Sequence, residues 1–137
     1  MALTLRELAG AFSVLQFTPD EPLPAWVATS TFYSVTKTPT ELSIVCETSA
    51  VKPGAARDEA GWRAFVVDGP LDFALTGILS SIAAPLAEAG MSIFALSTFD
   101  TDYVLVKAAR FADAMAALTA AGLTVYPKTP SAAAPVG

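Results

Sequence analysis

The chain has 137 residues, of which 53% are hydrophobic and 15% charged, and thirteen acidic residues (13) against eight basic ones (8) give a formal net charge of -5. This length fits one compact domain or two very small subdomains sharing a core, and the apolar excess leaves some surface for a partner. The acidic balance opposes nucleic acid, because a polyanion is repelled and no counterion-release term drives binding. Histidine is absent, and asparagine with it, so the commonest general base and metal ligand are missing; with no paired-acid motif either, the chain is not expected to be an enzyme or to need a cofactor.

The N-terminal stretch MALTLRELAG places Glu7 beside Arg6 and has no following apolar region, so it does not read as a signal peptide, and a cytoplasmic location is expected. Strand patterns follow over residues 3–8, 12–18, 31–37 and 41–47. Pro19, Pro22 and Pro24 fall in the connection from Pro19 to Thr31, which leaves room for a short turn around Trp26 but not for a full crossover helix. Cys46 lies in the apolar run LSIVC, has no second cysteine to pair with, and reads as buried strand packing. Residues 1–51 are therefore read as a reduced N-terminal unit, and the polar KPGAARDEAG, residues 52–61, as the linker between units.

From residue 62 the pattern is fuller. Residues 62–67 (WRAFVV) form a strand that stops at Asp68-Gly69-Pro70. The apolar residues Leu75, Ile78, Leu79, Ile82, Leu86 and Ala89 mark one face of a helix over 75–89, stopped by Gly90, with Pro85 bending its last turn. Residues 91–99 and 102–107 are two strands with Asp100-Thr101 as the hairpin turn. An alanine-rich helix over 111–121 stops at Gly122, and residues 123–126 make a last strand. The order β-α-β-β-α-β over residues 62–126 predicts an α+β fold with the helices on one face of an antiparallel sheet, a ferredoxin-like unit. Glu88, Asp113 and Lys128 break the longest apolar stretches below the roughly 18 to 20 residues that cross a bilayer, so no membrane partner is expected. The tail over 127–137 has prolines and small residues with little to pack, and disorder is expected there.

An internal echo suggests that the first unit is a second copy of the same plan. TELSIV at Thr40–Val45 matches TDYVLV at Thr101–Val106, an offset of 101 minus 40, or 61, which aligns Glu41 with Asp102.

Two clusters could carry chemistry. The loop from Gly69 to Gly77 (Gly69, Pro70, Leu71, Asp72, then Leu75, Thr76 and Gly77) leads into a helix N-terminus, whose unpaired N–H groups suit a carboxylate, with Gly69 and Gly77 permitting close approach. The plainer reading makes Asp72 and Thr76 capping residues of an ordinary turn. The second cluster, STFDTDY, gathers Ser97, Thr98, Asp100, Thr101 and Asp102 beside Phe99 and Tyr103, and could pair an ammonium; its plainer reading is a solvated turn. In a β-α-β-β unit the two can lie near each other, so one zwitterion could bridge them. Asp72, Asp100 and Asp102 could alternatively share a hard cation, though no EF-hand spacing is present and no metal is assigned.

Residues 61–107, GWRAFVVDGPLDFALTGILSSIAAPLAEAGMSIFALSTFDTDYVLVK, resemble the ACT domain family. LAEAGMSIFALSTFDTDYVLV is similar to its helix-end and strand signature, as in aspartate kinase regulatory regions. The chain also resembles small stand-alone bacterial tandem ACT proteins and the cytosolic arginine sensors of the CASTOR type, which place Thr-Phe-x-x-Asp near the bound amino acid, here Thr98, Phe99 and Asp102. The resemblance implies two ferredoxin-like ACT units, the first reduced, and an amino-acid-binding regulatory protein that forms a homodimer and acts on an enzyme or regulator. No kinase domain accompanies the resemblance, so no catalytic activity carries over. The other readings are a constitutive dimerisation or adaptor module without a small ligand and, opposed by the acidic charge, a ferredoxin-like RNA binder.

Overall fold

A computed structural model of the chain describes residues 3–72 and 76–128. They form ten regular elements: β1 (Thr4–Glu7), β2 (Phe12–Phe17), β3 (Tyr33–Thr38), β4 (Glu41–Glu47), β5 (Arg57–Val67), α1 (Ile78–Glu88), β6 (Ile93–Ser97), β7 (Asp102–Lys107), α2 (Phe111–Ala120) and β8 (Thr124–Tyr126). The chain divides into two compact units, a larger one from the described residues of Met1–Ala9 and Arg63–Gly137 and a smaller one, Gly10–Trp62. The expected α+β class is the one observed. Of the tail expected to be disordered, 127–137, residues 129–137 lie outside the described residues, as does Leu75; the helix expected over 75–89 begins at Ile78, because Gly77 before it is left-handed, and ends at Glu88.

In the larger unit the strand order is β8-β1-β5-β7-β6, with β1 antiparallel to β5 and parallel to β8. The order β5-α1-β6-β7-α2-β8 follows the expectation, with one change. β8 pairs with β1 rather than with β5, because Leu3 and Leu5 bury in this unit's core. The N-terminal strand, expected in the first unit, thus belongs to the larger unit. α1 buries Ile78, Ile82 and Leu86, spaced by four, and α2 buries Ala114 and Leu118; these rows meet Phe65, Val67, Val104 and Val106 of the sheet in one core. Each fully buried Ile, Leu or Phe there stabilises by about 1.5–3 kcal/mol relative to exposure. Pro85 falls in the last turn of α1, and the helix continues through it to Glu88. At the sheet end near the start of α2, Arg63 pairs with the buried carboxylate of Glu7 and lies over the Phe111 ring, 5.3 Å from its centroid.

In the smaller unit the order is β3-β4-β2-β5, the last place being taken by the N-terminal part of β5. It follows the strand order of the ferredoxin-like plan with its helices missing: a 3-10 turn at Ala25–Thr29, around Trp26 as expected, stands between β2 and β3. Leu15, Phe17, Val27, Leu42, Ile44 and Cys46 form its core. The linker expected over 52–61 is shorter, since β5 begins at Arg57. Its first residues are exposed and charged because they edge this unit's sheet, and that polarity hides the strand from a reading based on apolar runs. Where β2 meets β5 the register shifts by one residue, with Gly61 at φ 84° supplying the conformation such a bulge favours.

The two hairpins correct both the turn and the echo. In the larger unit Ser97 pairs with Asp102, and Thr98 N–H donates to Thr101 O at 2.8 Å, so the tip is Phe99-Asp100 rather than Asp100-Thr101. In the smaller unit Thr38 pairs with Glu41, as Thr98 meets Thr101, and Tyr33 pairs with Cys46 as Ile93 pairs with Val106. A 3-10 turn follows each hairpin, at Thr48–Ala50 and Ala108–Arg110. The structural offset is therefore 98 minus 38, or 60, and not 61. A one-residue slip exchanges the two faces of a strand. Asp102 corresponds to Leu42, a core residue, and not to Glu41.

Candidate functional site

The site forms where the larger unit's first connection meets its hairpin. β5 ends at Val67, and Asp68 N–H donates to Thr4 O at 2.8 Å. Leu71 N–H then donates to Asp100 O at 2.7 Å, and the Thr101 hydroxyl donates to Val67 O at 2.6 Å. These bonds lace the loop onto the hairpin. Gly69 sits in the seam: a Cβ there would come within 3.0 Å of Leu71 N and 3.1 Å of Asp100 O, so a larger residue would push the two apart. The Gly69-Pro70 peptide is cis.

On the helix side, Gly77 is the N-cap of α1 with φ 79°. It has no side chain with which to cap, and the Ser80 and Ser81 hydroxyls donate back to its carbonyl at 3.2 and 2.7 Å. The first turn of the helix therefore presents N–H groups and the positive end of its dipole at this point. Across from it, the half-buried Asp102 lies on the helix-bearing face of β7 with Val104 and Val106 and accepts the Ser97 hydroxyl at 2.6 Å. Among the described residues, neither Asp100 nor Asp102 has a cationic partner.

Between these groups is a cavity of about 420 Å³ lined by Leu71, Asp72, Gly77, Ile78 and Leu79 from one side and by Ser97 to Asp102 from the other. It brings together Leu71, Asp72, Gly77, Thr98, Phe99, Asp100 and Asp102 of the residues expected from sequence. Gly69 and Pro70 line a second hollow of about 350 Å³ that shares Thr98, Asp100 and Thr101 with the first. Thr76 is exposed and lines neither, and Leu75 lies outside the described residues. Ser97 and Thr101, named with the hairpin cluster, line the first cavity as well, whereas Ile78 and Leu79 were expected only as part of the helix's apolar face. Phe99 at the tip is 82% exposed. Among the described residues no group of three or more His, Cys, Asp or Glu could hold a metal ion, and no helix is long and apolar enough to cross a membrane.

The profile of the ACT domain matches residues 58–120, and one for the N-terminal domain of a second family matches residues 10–53. The crystal structure of protein Atu0741 from Agobacterium tumefaciens is 33% identical, with a TM-score of 0.88 over 95% of this chain and 96% of that one. Residues 58–120 are an ACT domain. The bovine cytosolic arginine sensor for mTORC1 subunit 1 is 33% identical over 86 residues, 56% of this chain and 26% of that protein. The chain spans between 26% and 53% of the curated relatives it matches. The ligand-free regulatory subunit of aspartate kinase from Thermus thermophilus shares the fold, with a TM-score of 0.58 at 15% identity over 85% of this chain and 93% of that one. The bovine protein is named as a sensor and the Thermus protein as a regulatory subunit.

Proposed function

We propose that this ACT protein is a non-catalytic sensor that binds a free amino acid in the cavity under α1, as a homodimer, and passes its occupancy to an enzyme or regulator. The observation that supports this reading is the confrontation of an uncapped helix N-terminus with Asp102 across about 420 Å³. The N–H groups at Gly77 to Leu79 would take the ligand carboxylate and Asp102 its ammonium. Asp72 and Asp100 line the same cavity, whose lining has no Lys or Arg. That balance favours a cationic side chain, in line with the arginine named for the bovine relative.

Thermal shift of the full chain against the twenty amino acids tests this. A ligand at 100 times its dissociation constant adds about 2.7 kcal/mol of stability. The expected result is a rise in Tm with one or a few amino acids, arginine or lysine foremost. No shift with any of them would favour a constitutive dimerisation or adaptor module instead.

A further inference from the structure

Three consecutive residues of the larger unit's hairpin bond in three directions. Asp100 O accepts the Leu71 N–H of the connection at 2.7 Å, the Thr101 hydroxyl donates to Val67 O at the end of β5 at 2.6 Å, and Asp102 carries the carboxylate across from the start of α1. Thr101 is also tied back into the hairpin. Its carbonyl accepts Thr98 N–H at 2.8 Å, and its own N–H donates to the Thr98 hydroxyl at 3.3 Å. One half-buried residue therefore fastens the hairpin to the strand from which the connection into α1 departs. Thr101 lines both hollows, but its hydroxyl hydrogen is committed to Val67 and is not offered to a ligand.

That tie bears on the cavity because an α-amino acid carries its carboxylate and its ammonium on one carbon. The N–H groups of α1 and the Asp102 carboxylate can meet both only if the connection and the hairpin keep a fixed spacing. A spacing set before the ligand arrives removes the cost of ordering the two segments on binding. The seam between them has no slack, since a Cβ on Gly69 would lie 3.0 Å from Leu71 N, 3.1 Å from Asp100 O and 3.4 Å from Thr101 Cβ. Threonine suits this place: its branch at Cβ restricts χ1 and so holds the hydroxyl toward Val67. Resting on the amino-acid site proposed above, we infer that Thr101 is a positioning residue for it. The hydroxyl bond to Val67 O sets the start of α1 opposite Asp102, and ligand affinity depends on that bond although the hydroxyl gives no bond to the ligand.

Two measurements on the full chain test it: calorimetry with L-arginine, or with whichever of the twenty amino acids raises Tm if arginine does not, and amide exchange without ligand. Thr101→Val keeps the branch and the volume and removes the donor. It should weaken binding by about five- to tenfold and speed exchange of the Leu71 amide. Thr101→Ser keeps the donor and should stay within about twofold of wild type in affinity. A purely structural role would instead lower the unfolding midpoint and leave the affinity of the folded protein unchanged. Gly69→Ala forces the same seam from the other side and should reproduce the loss of affinity, which keeps the test open if Thr101→Val does not fold. Equal affinity in wild type, Thr101→Val and Gly69→Ala would overturn the inference and leave the amino-acid site standing. So would a loss in Thr101→Ser as large as in Thr101→Val, or Leu71 exchange that ignores the change. A wild type that binds none of the twenty would remove the site, and this role with it.

Discussion

Asp102 carries a negative charge on the helix-bearing face of β7 with only the Ser97 hydroxyl bonded to it among the described residues. If it is the partner of a ligand ammonium, Asp102→Ala should weaken binding by about 2 to 5 kcal/mol, since the ligand charge is then left unpaired. Thr98→Ala removes a neutral hydroxyl that is already engaged with Thr101 in the turn and should cost about 0.5 to 1.5 kcal/mol. Calorimetry with whichever amino acid raises Tm would rank them, and equal affinity in wild type and Asp102→Ala would place the ligand elsewhere. A second carboxylate acts on stability. Thr31 N–H donates to Glu47 at 2.7 Å and the Ser30 hydroxyl at 3.1 Å, and these bonds, the backbone one foremost, hold its carboxyl below the ordinary value. A carboxyl depressed in the folded state contributes fully above its unfolded value and loses that contribution as pH falls through the folded one. Glu47→Gln should therefore flatten the acid side of the stability profile, and an unchanged acid slope in chemical denaturation would show that the clamp contributes nothing. Cys46 behaves in the opposite sense: burial pushes its thiol up to about 11, so little thiolate exists near neutrality to react.

At the level of elements, α1 depends on a single apolar row, and its middle residue Ile82 is fully buried. Ile82→Ala should cost about 2–5 kcal/mol in urea unfolding through lost transfer energy and the cavity left behind, and a loss below about 1 kcal/mol would mean that the core collapses around the gap. This helix was legible in the sequence because it has one wet face and one dry one, and β7 was legible because both its ends are marked by charge. The beginning of β5 was not. As an edge strand it exposes Arg57, Asp58 and Glu59, and its composition is that of a loop. The hairpin tip was misplaced by one residue for a related reason: Asp and Thr are ordinary turn residues, whereas Phe99 at the tip runs against that preference. The same single residue separates the letter match of the two hairpins from their structural match, since TELSIV and TDYVLV agree in spelling while their faces are exchanged. The candidate site was largely legible because its two clusters sit on neighbouring connections of one β-α-β-β unit. Ile78 and Leu79, which the sequence marks only as apolar helix residues, are turned toward the cavity by the three-dimensional arrangement alone.

For the whole molecule, the corrected register means that the two units are not equivalent in chemistry. Where the larger unit has Asp102 on the helix-bearing face, the smaller has Leu42, 3% exposed and packed with Ile44 and Cys46. Where the larger has α1, the smaller has the 3-10 turn Ala25–Thr29. A single ligand per chain is therefore expected, read as the molar ratio at the calorimetric end point, and two per chain would show that the smaller unit binds by other means. The non-contiguous make-up of the larger unit has a consequence for how the chain can be divided. Cutting before Arg63 would not release that unit whole, because β1, with Leu3 and Leu5, would be left on the other fragment. Cutting out the interior is another matter. Leu8 N–H donates to Ala64 O at 2.9 Å, and Glu7 stands opposite Phe65, so the residues on either side of Gly10–Trp62 are already neighbours across an antiparallel pair. The smaller unit is threaded into the larger as an insert whose two ends meet, and a tight turn in its place would leave β1 and β5 as an ordinary hairpin.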